Sequence, residues 1–212
     1  MYGITFGTMH SYLDLNLILS KKEIGSPPIK KKLQEVEGAD GVLDYTDFFG
    51  GPKYGNVTHK FTFSTISPKK EQLAHFSRVK NALHGRKMTI TLDEEPGYFY
   101  VGRLDVSSFT DERGIGKITV EADCEPWKYK QDVTAVQFDV EGSMTVKLQN
   151  SRKPVVPIIT TFSDMAFTVE GVTYAHEAGV FEITEMELRE GENEIAITGT
   201  GNVRFVYQEG ML

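Results

Sequence analysis

The side chains able to do chemistry in this sequence are its histidines, a cluster of carboxylates and one thiol. His10, His59, His75, His84 and His176 include no His-x-x-x-His pair, the spacing that turns two imidazoles on one helix face toward a metal. Cys124 stands alone, so the sequence offers neither the thiolate pair of a zinc site nor an intrachain disulfide. It reads as a small buried hydrophobe and not as a nucleophile. Asp93-Glu94-Glu95 sets three carboxylates together, the material of acid–base or metal chemistry. Pro96-Gly97 follows directly, which places the acids on a solvated hairpin tip. Gly50–Gly55 (GGPKYG) is rich in glycine but lacks the Gly-Lys-Ser/Thr ending of a phosphate-binding P-loop, and it leads into a strand. No Gly-x-Ser-x-Gly elbow occurs. The expectation is a protein with no catalytic residue, no metal ligand and no cofactor.

The bulk properties bound the class of protein. The 212 residues suffice for one or two domains with cores of their own. The 30 acidic and 23 basic residues leave a net charge of -7, the opposite of the basic excess with which a protein holds DNA phosphates. The opening MYGITFGTMHSYLDLNL has no basic segment followed by an apolar one, as a secretory signal would. Apolar runs stay well short of the ~20 residues that span a bilayer. The expected product remains soluble where it is made.

The elements that must position these residues are mainly strands. Residues 2–6 and 15–20 read as short strands, and Gly25-Ser26-Pro27-Pro28 as a break. Ile29–Val36 is a strand candidate, basic first and acidic after. His59–Ile66 alternates Phe61 and Phe63 with Lys60, Thr62 and Ser64, the pattern of a half-buried strand. One helix is expected over about 68–84. Ser67 serves as its N-cap, Pro68 as its first residue and Gly85 as its terminator, and Leu73, Phe76, Val79 and Leu83 form its apolar face. Its lysines read as a solvated face. Lys87–Leu92 with Tyr98–Leu104, and Val106–Phe109 with Ile115–Ala122, read as hairpins.

Between the early strands lies Gly38–Asn56, GADGVLDYTDFFGGPKYGN. Gly38, Gly41, Gly50, Gly51 and Gly55 punctuate it, which rules out a helix. Val42, Leu43, Tyr45, Phe48 and Phe49 give it more apolar surface than a disordered linker carries. It reads as an ordered arm that packs against something.

Cys124–Lys130 (CEPWKYK), with the only tryptophan, marks a domain boundary, so the division is 1–130 and 131–212. Beyond Val133 helical periodicity stops. Short strands are expected at 133–140, 143–149, 155–162, 165–170, 179–185, 193–199 and 203–208, the last two as a closing hairpin. Turn signals between them, Glu141-Gly142 and Gly199-Thr200-Gly201 among them, predict an antiparallel sandwich or barrel. The connecting loops are short. A sugar-binding sandwich stacks glycans on exposed aromatics. Here Phe138, Phe162, Phe167, Phe181 and Phe205 alternate with polar residues and read as core, leaving Tyr174 and Tyr207 as the stacking candidates.

Three stretches in order carry a resemblance. They are MYGITFGTMHS; the loop and strand in which Gly38, Asp40, Gly41, Leu43 and Asp44 precede Tyr54, Asn56, Phe61 and Phe63; and the closing LREGENEIAITGTGNVRFVYQEGML. Together they resemble the distal tail proteins of long-tailed siphophages and prophages of Gram-positive bacteria, across essentially the whole chain. Glu37 stands where that family usually has proline. The resemblance implies a mainly β protein. A β-rich ring-forming domain with one helix (1–130) would precede a galectin-like sandwich (131–212). It also implies a hexameric hub at the tail tip, inside the virion, with DNA passing through unbound. The implied partners are other copies of the chain, the tail tube protein, the tail-associated lysin or fibre protein and a receptor-binding protein. Asp40, Gly41, Asp44, Tyr45, Phe48, Phe49, Tyr54 and Asn56 are the candidate subunit or partner interface. The alternative function is a carbohydrate-binding adhesion module acting through 131–212.

Overall fold

Alternation of apolar and polar residues builds most of the chain. In β6 (Val57–Thr65) every second side chain, from Val57 through His59, Phe61 and Phe63 to Thr65, is buried. In β9 (Ile115–Cys124) the same holds for Gly116, Ile118, Val120, Ala122 and Cys124. The computed structural model describes residues 2–48 and 50–212. The described chain divides into two compact units, the first running to Lys128 and the second spanning Tyr129–Met211.

In the first unit β1 (Ile4–Phe6), β2 (Met9–His10), β3 (Leu17–Glu23), β7 (Lys87–Leu92) and β8 (Tyr98–Glu112) join β6 and β9. They form an antiparallel sheet in the order β2-β1-β7-β8-β9-β6-β3. Phe6 meets Phe61 and Phe63 edge-on at ring distances of 6.2 and 6.1 Å, the centre of this core. Cys124 lies buried within it, and burial pushes its thiol up to about 12, so the thiolate is not accessible at neutral pH. The segments expected as Tyr98–Leu104 and Val106–Phe109 are one strand, β8, with a bulge between Val106 and Ser108 that keeps both halves in register with β9.

The helix differs in detail from expectation. A short 3-10 turn, Lys69–Glu71, precedes α1 (Gln72–Leu83). Ser67 does not cap it; the Ser67 hydroxyl instead lies 2.9 Å from Nδ1 of His75. Leu73 is 66% exposed, and Gln72 and His75 take its place on the buried face. The reason is polar satisfaction. Nε2 of His75 donates to the Leu15 carbonyl (2.6 Å), and the Gln72 amide reaches the Gly114 carbonyl (3.2 Å). Gly85 ends the helix at φ +77°, a left-handed conformation that favours glycine.

β10 (Lys128–Lys130) straddles the division, and the second unit holds β11 (Thr134–Asn150), β12 (Ile158–Thr161), β13 (Met165–Val169), β14 (Val172–His176), β15 (Gly179–Glu182), β16 (Gly191–Tyr207) and β17 (Gly210–Met211). Two pairs of expected strands fuse. β11 and β16 are each 17 residues long and pair along their whole length. Ile195, Ile197, Val203, Phe205 and Tyr207 therefore lie on one strand, not on a closing hairpin. The glycines taken for turns are bends inside the ladder: Gly142 pairs with Gly199. At Gly199 and Gly201, with φ of +146° and +141°, β16 changes partner. Its first half pairs with β13 and its second half with β12. A Cβ on Gly201 would sit 2.4 Å from the Ser163 hydroxyl. The described loops here are short, the longest being 183–190, and none forms an extended arm.

The helix assignment leads to a clear expectation. Leu83→Ala should cost about 2–5 kcal/mol in urea unfolding. Leu73→Ser should stay within about 0.5 kcal/mol. A large loss at Leu73 would restore the helix face expected from the sequence.

Candidate functional site

The stretch Ile29–Tyr54 leaves the first unit as an arm. Its neck is a bridge between Ile29 and Tyr54, with Lys30 N–H donating to the Lys53 carbonyl (2.7 Å) and Gly55 N–H to the Pro28 carbonyl (2.8 Å). Beyond the neck, β4 (Leu33–Glu35) pairs with β5 (Val42–Asp44) as a two-stranded ribbon separate from the main sheet. The sequence predicts a strand over Ile29–Val36, which contains β4, and an ordered arm over Gly38–Asn56, but not their pairing. The hairpin forms because Gly38 and Gly41, both at φ +80°, turn the chain at the tip.

Every residue from Pro28 to Tyr45 is exposed. Pairing sets Leu33 opposite Asp44, Gln34 opposite Leu43 and Glu35 opposite Val42. Leu33 and Val42 thus project from one side of the ribbon and Leu43 from the other. Each is about half exposed, and Phe48 is 72% exposed. An isolated two-stranded ribbon is marginal in water, and exposed apolar side chains on both of its sides make it a candidate interaction surface.

The candidate interface residues fall on three levels of the arm. Asp40 and Gly41 are at the tip. Asp44, Tyr45 and Phe48 sit midway. Tyr45 meets Phe48 edge-on at 6.3 Å, and its N–H donates to the Lys32 carbonyl (2.8 Å). The Asp44 carboxylate accepts from the Thr46 N–H (2.8 Å), and its hydrogen bonds with Thr46 hold it below the usual carboxylate range. Tyr54 and Asn56 belong to the root. Tyr54 packs edge-on against Trp127 at 5.4 Å, and the Asn56 amide donates to Asp123 (3.4 Å). The structure therefore does not gather these residues in one place, since Tyr54 lies at the neck opposite Ile29 and Asp40 and Gly41 lie at the far tip beyond β4 and β5. Phe49 lies outside the described residues.

Sequence reasoning missed the group that ties down the root. His59 on β6 is buried, and its Nδ1 accepts the N–H of Gly25 at 3.2 Å. Gly25 is seated closely: a Cβ there would lie 2.8 Å from the Thr58 carbonyl oxygen. The His59 ring meets Tyr100 at 4.5 Å, and its Nε2 has no hydrogen-bond partner among the described residues. Burial lowers its pKa, so the imidazole is held neutral with the proton on Nε2. The alternation of β6 assigns position 59 to the inner face; only the tertiary fold brings Gly25 to it.

His10 is also a tether. Nε2 of His10 lies 3.0 Å from Asp93, which also accepts the Gly3 N–H at 2.7 Å. Its Nδ1 accepts from the N–H groups of Tyr12 and Leu13, each at 3.2 Å. Both ring nitrogens are thereby occupied. Asp93 is therefore more than a solvated tip: it joins the N-terminal hairpin to the β7–β8 turn. Among the described residues no three His, Cys, Asp or Glu side chains gather as a metal site would require, and no helix is long and apolar enough to cross a membrane.

No protein-family model matches the sequence, and no curated protein is significantly similar to it. Among solved structures, the crystal structure of the Dit protein of SPP1 matches with a TM-score of 0.74, covering 100% of both chains at 15% identity. This chain has the Dit fold. The SPP1 protein is described as a paradigm of the hub adsorption apparatus in phages that infect Gram-positive bacteria. The expected fold class, mainly β with one helix and two β-sheet regions, is that of the Dit fold.

The root of the arm should respond to pH. The unfolded chain takes up a proton on His59 from about pH 6.5 downward, the ordinary histidine value, while the folded state resists it. The unfolded state then binds more protons, so stability falls as pH drops below that value, by up to about 1.4 kcal/mol per pH unit. His59→Asn retains an acceptor for Gly25 and cannot titrate. Urea unfolding at pH 7 and pH 5 should show a smaller pH loss in the variant than in the wild type. Equal losses would mean that His59 is not the responsible group.

Proposed function

We propose that this protein is a structural, non-enzymatic subunit of a ring-shaped hub at the tip of a long, non-contractile phage tail. The observation that carries this reading is the Dit fold along the entire chain. Residues 1–130 form the ring around the channel, and 131–212 form an outward galectin-like sandwich. The protein is made in the host cytoplasm and ends in the virion.

The arm provides the contact between neighbours. Its ribbon carries apolar side chains on both sides, so covering it requires surface from another molecule. A head-to-tail contact repeated by rotation closes a ring, and a second copy of this chain supplies that surface. Asp40, Gly41, Asp44, Tyr45 and Phe48 meet the neighbour, with Tyr54 and Asn56 fixing the arm at its root. The tail tube protein, the tail-associated lysin or fibre protein and a receptor-binding protein complete the assembly. With no long arm in the second unit, the receptor-binding protein attaches through the sandwich or through the adjoining tail-tip protein. A net charge of -7 suits a channel through which DNA slides without sticking.

Light scattering tests the ring. The number six comes from the sequence resemblance, and six chains of 23.8 kDa give about 143 kDa. Replacing Leu43 and Phe48 together with serine should give folded monomers with an unchanged circular dichroism spectrum, since both are exposed in the monomer. A wild type that stays monomeric at high concentration would refute the self-closing ring. Rings formed by the double variant would assign the arm to another partner.

A further inference from the structure

Phe162, expected in the core, is 75% exposed. It is also rigidly mounted. Thr161 before it is the last residue of β12, paired with both Gly179 and Val203. Directly after it the Ser163 hydroxyl donates to the Thr200 carbonyl (2.6 Å), and Asp164 accepts the Ala178 N–H (3.0 Å). An exposed aromatic ring whose backbone is held on both sides is a flat surface that costs little backbone ordering on binding.

The sheet beside it supplies hydrogen-bonding groups in register. Continuing the β12–β16 ladder sets Phe162 opposite Asn202, and Asn202 pairs with Asp139 on β11. The Asn202 amide donates to the Asp139 carboxylate at 2.7 Å. The next row is Val180, Thr160, Arg204 and Gln137 across four adjacent strands. Its odd-numbered neighbours on β12 and β16, Ile159, Thr161, Val203 and Phe205, point into the core, so this row faces solvent. Arg204 and Gln137 are exposed, and no ion pair or side-chain hydrogen bond occupies either among the described residues.

We propose that this face, centred on Phe162, Arg204, Gln137 and the Asn202–Asp139 pair, binds a saccharide. A pyranose presents an apolar C–H face, which stacks on a flat aromatic ring, and vicinal hydroxyls around its rim. Planar amide, guanidinium and carboxylate groups fixed on a sheet suit those hydroxyls, offering both donors and acceptors. The candidates from the sequence do not compete with it. Tyr207 is buried, with its hydroxyl donating to the Gln149 carbonyl. Tyr174 pairs with Phe167 on β13, away from this row. The site lies within the second unit and does not depend on ring formation.

The test uses the full-length protein on an array of hexose, N-acetylhexosamine and deoxyhexose oligosaccharides, followed by titration of any ligand found. Binding should be competed by the free oligosaccharide. Phe162→Ala should weaken it about tenfold or more, and Arg204→Ala should weaken it as well. Phe162→Trp, which keeps the stacking surface, should retain it. Val172→Ser, at an exposed position on β14, should leave it unchanged. Light scattering on each variant separates this proposal from the ring: lost sugar binding with unchanged mass supports the site alone. Absence of any competable saccharide, or binding indifferent to Phe162→Ala, would overturn it. A Phe162→Ala protein that instead loses a tail protein as its partner would assign the face to protein docking.

Discussion

The ribbon of the arm carries Leu33 and Val42 on one side and Leu43 on the other, and all three stay about half exposed. A two-stranded ribbon has too little surface to bury both sides by itself. That constraint gives sense to the rest of the first unit. The neck bonds at Lys30 and Gly55, the edge-on packing of Tyr54 on Trp127, and the seating of Gly25 against β6 all act at the root. They fix where the arm begins and leave its tip unburied. The unit's own core, built on Phe6, Phe61 and Phe63, is complete without it.

Polar groups buried in that core act as ties between segments far apart in sequence. His75 joins α1 to the Leu15 carbonyl, His59 joins β6 to Gly25, and His10 joins the N-terminal hairpin to Asp93. Each imidazole commits at least one ring nitrogen to a backbone or carboxylate partner. Cys124, with its thiol pushed up by burial, is likewise held out of nucleophilic chemistry. These three histidines and Cys124 thus serve the architecture of the first unit.

The second unit solves a different problem, that of making one long strand serve two neighbours. Glycines at 142, 199 and 201 allow β11 and β16 to bend without losing their ladder. The bend passes β16 from β13 to β12. It also sets the Ser163 corner against Gly201, where no Cβ would fit. That corner holds Phe162 out of the core. The exposed aromatic is thus a consequence of how the sandwich turns.

Much of this was legible in the sequence because period and punctuation are local. The alternation of β6 and β9, the helix with Gly85 beyond its end, the β7–β8 hairpin and the mainly β class all follow from side-chain spacing and turn residues. The sequence also marked 38–56 as apolar and ordered. It could not show that the stretch is a hairpin pairing back to Leu33–Glu35, because pairing depends on which distant strand is left without a partner. It mistook bends at Gly142 and Gly199 for chain reversals, since a glycine reads the same in both until its cross-strand neighbour is known. It placed Leu73 inside and Phe162 in the core, because hydrophobicity alone sets those preferences. The tertiary structure decided otherwise, through hydrogen bonds from Gln72, His75, Ser163 and Asp164 to backbone that only the folded chain brings within reach.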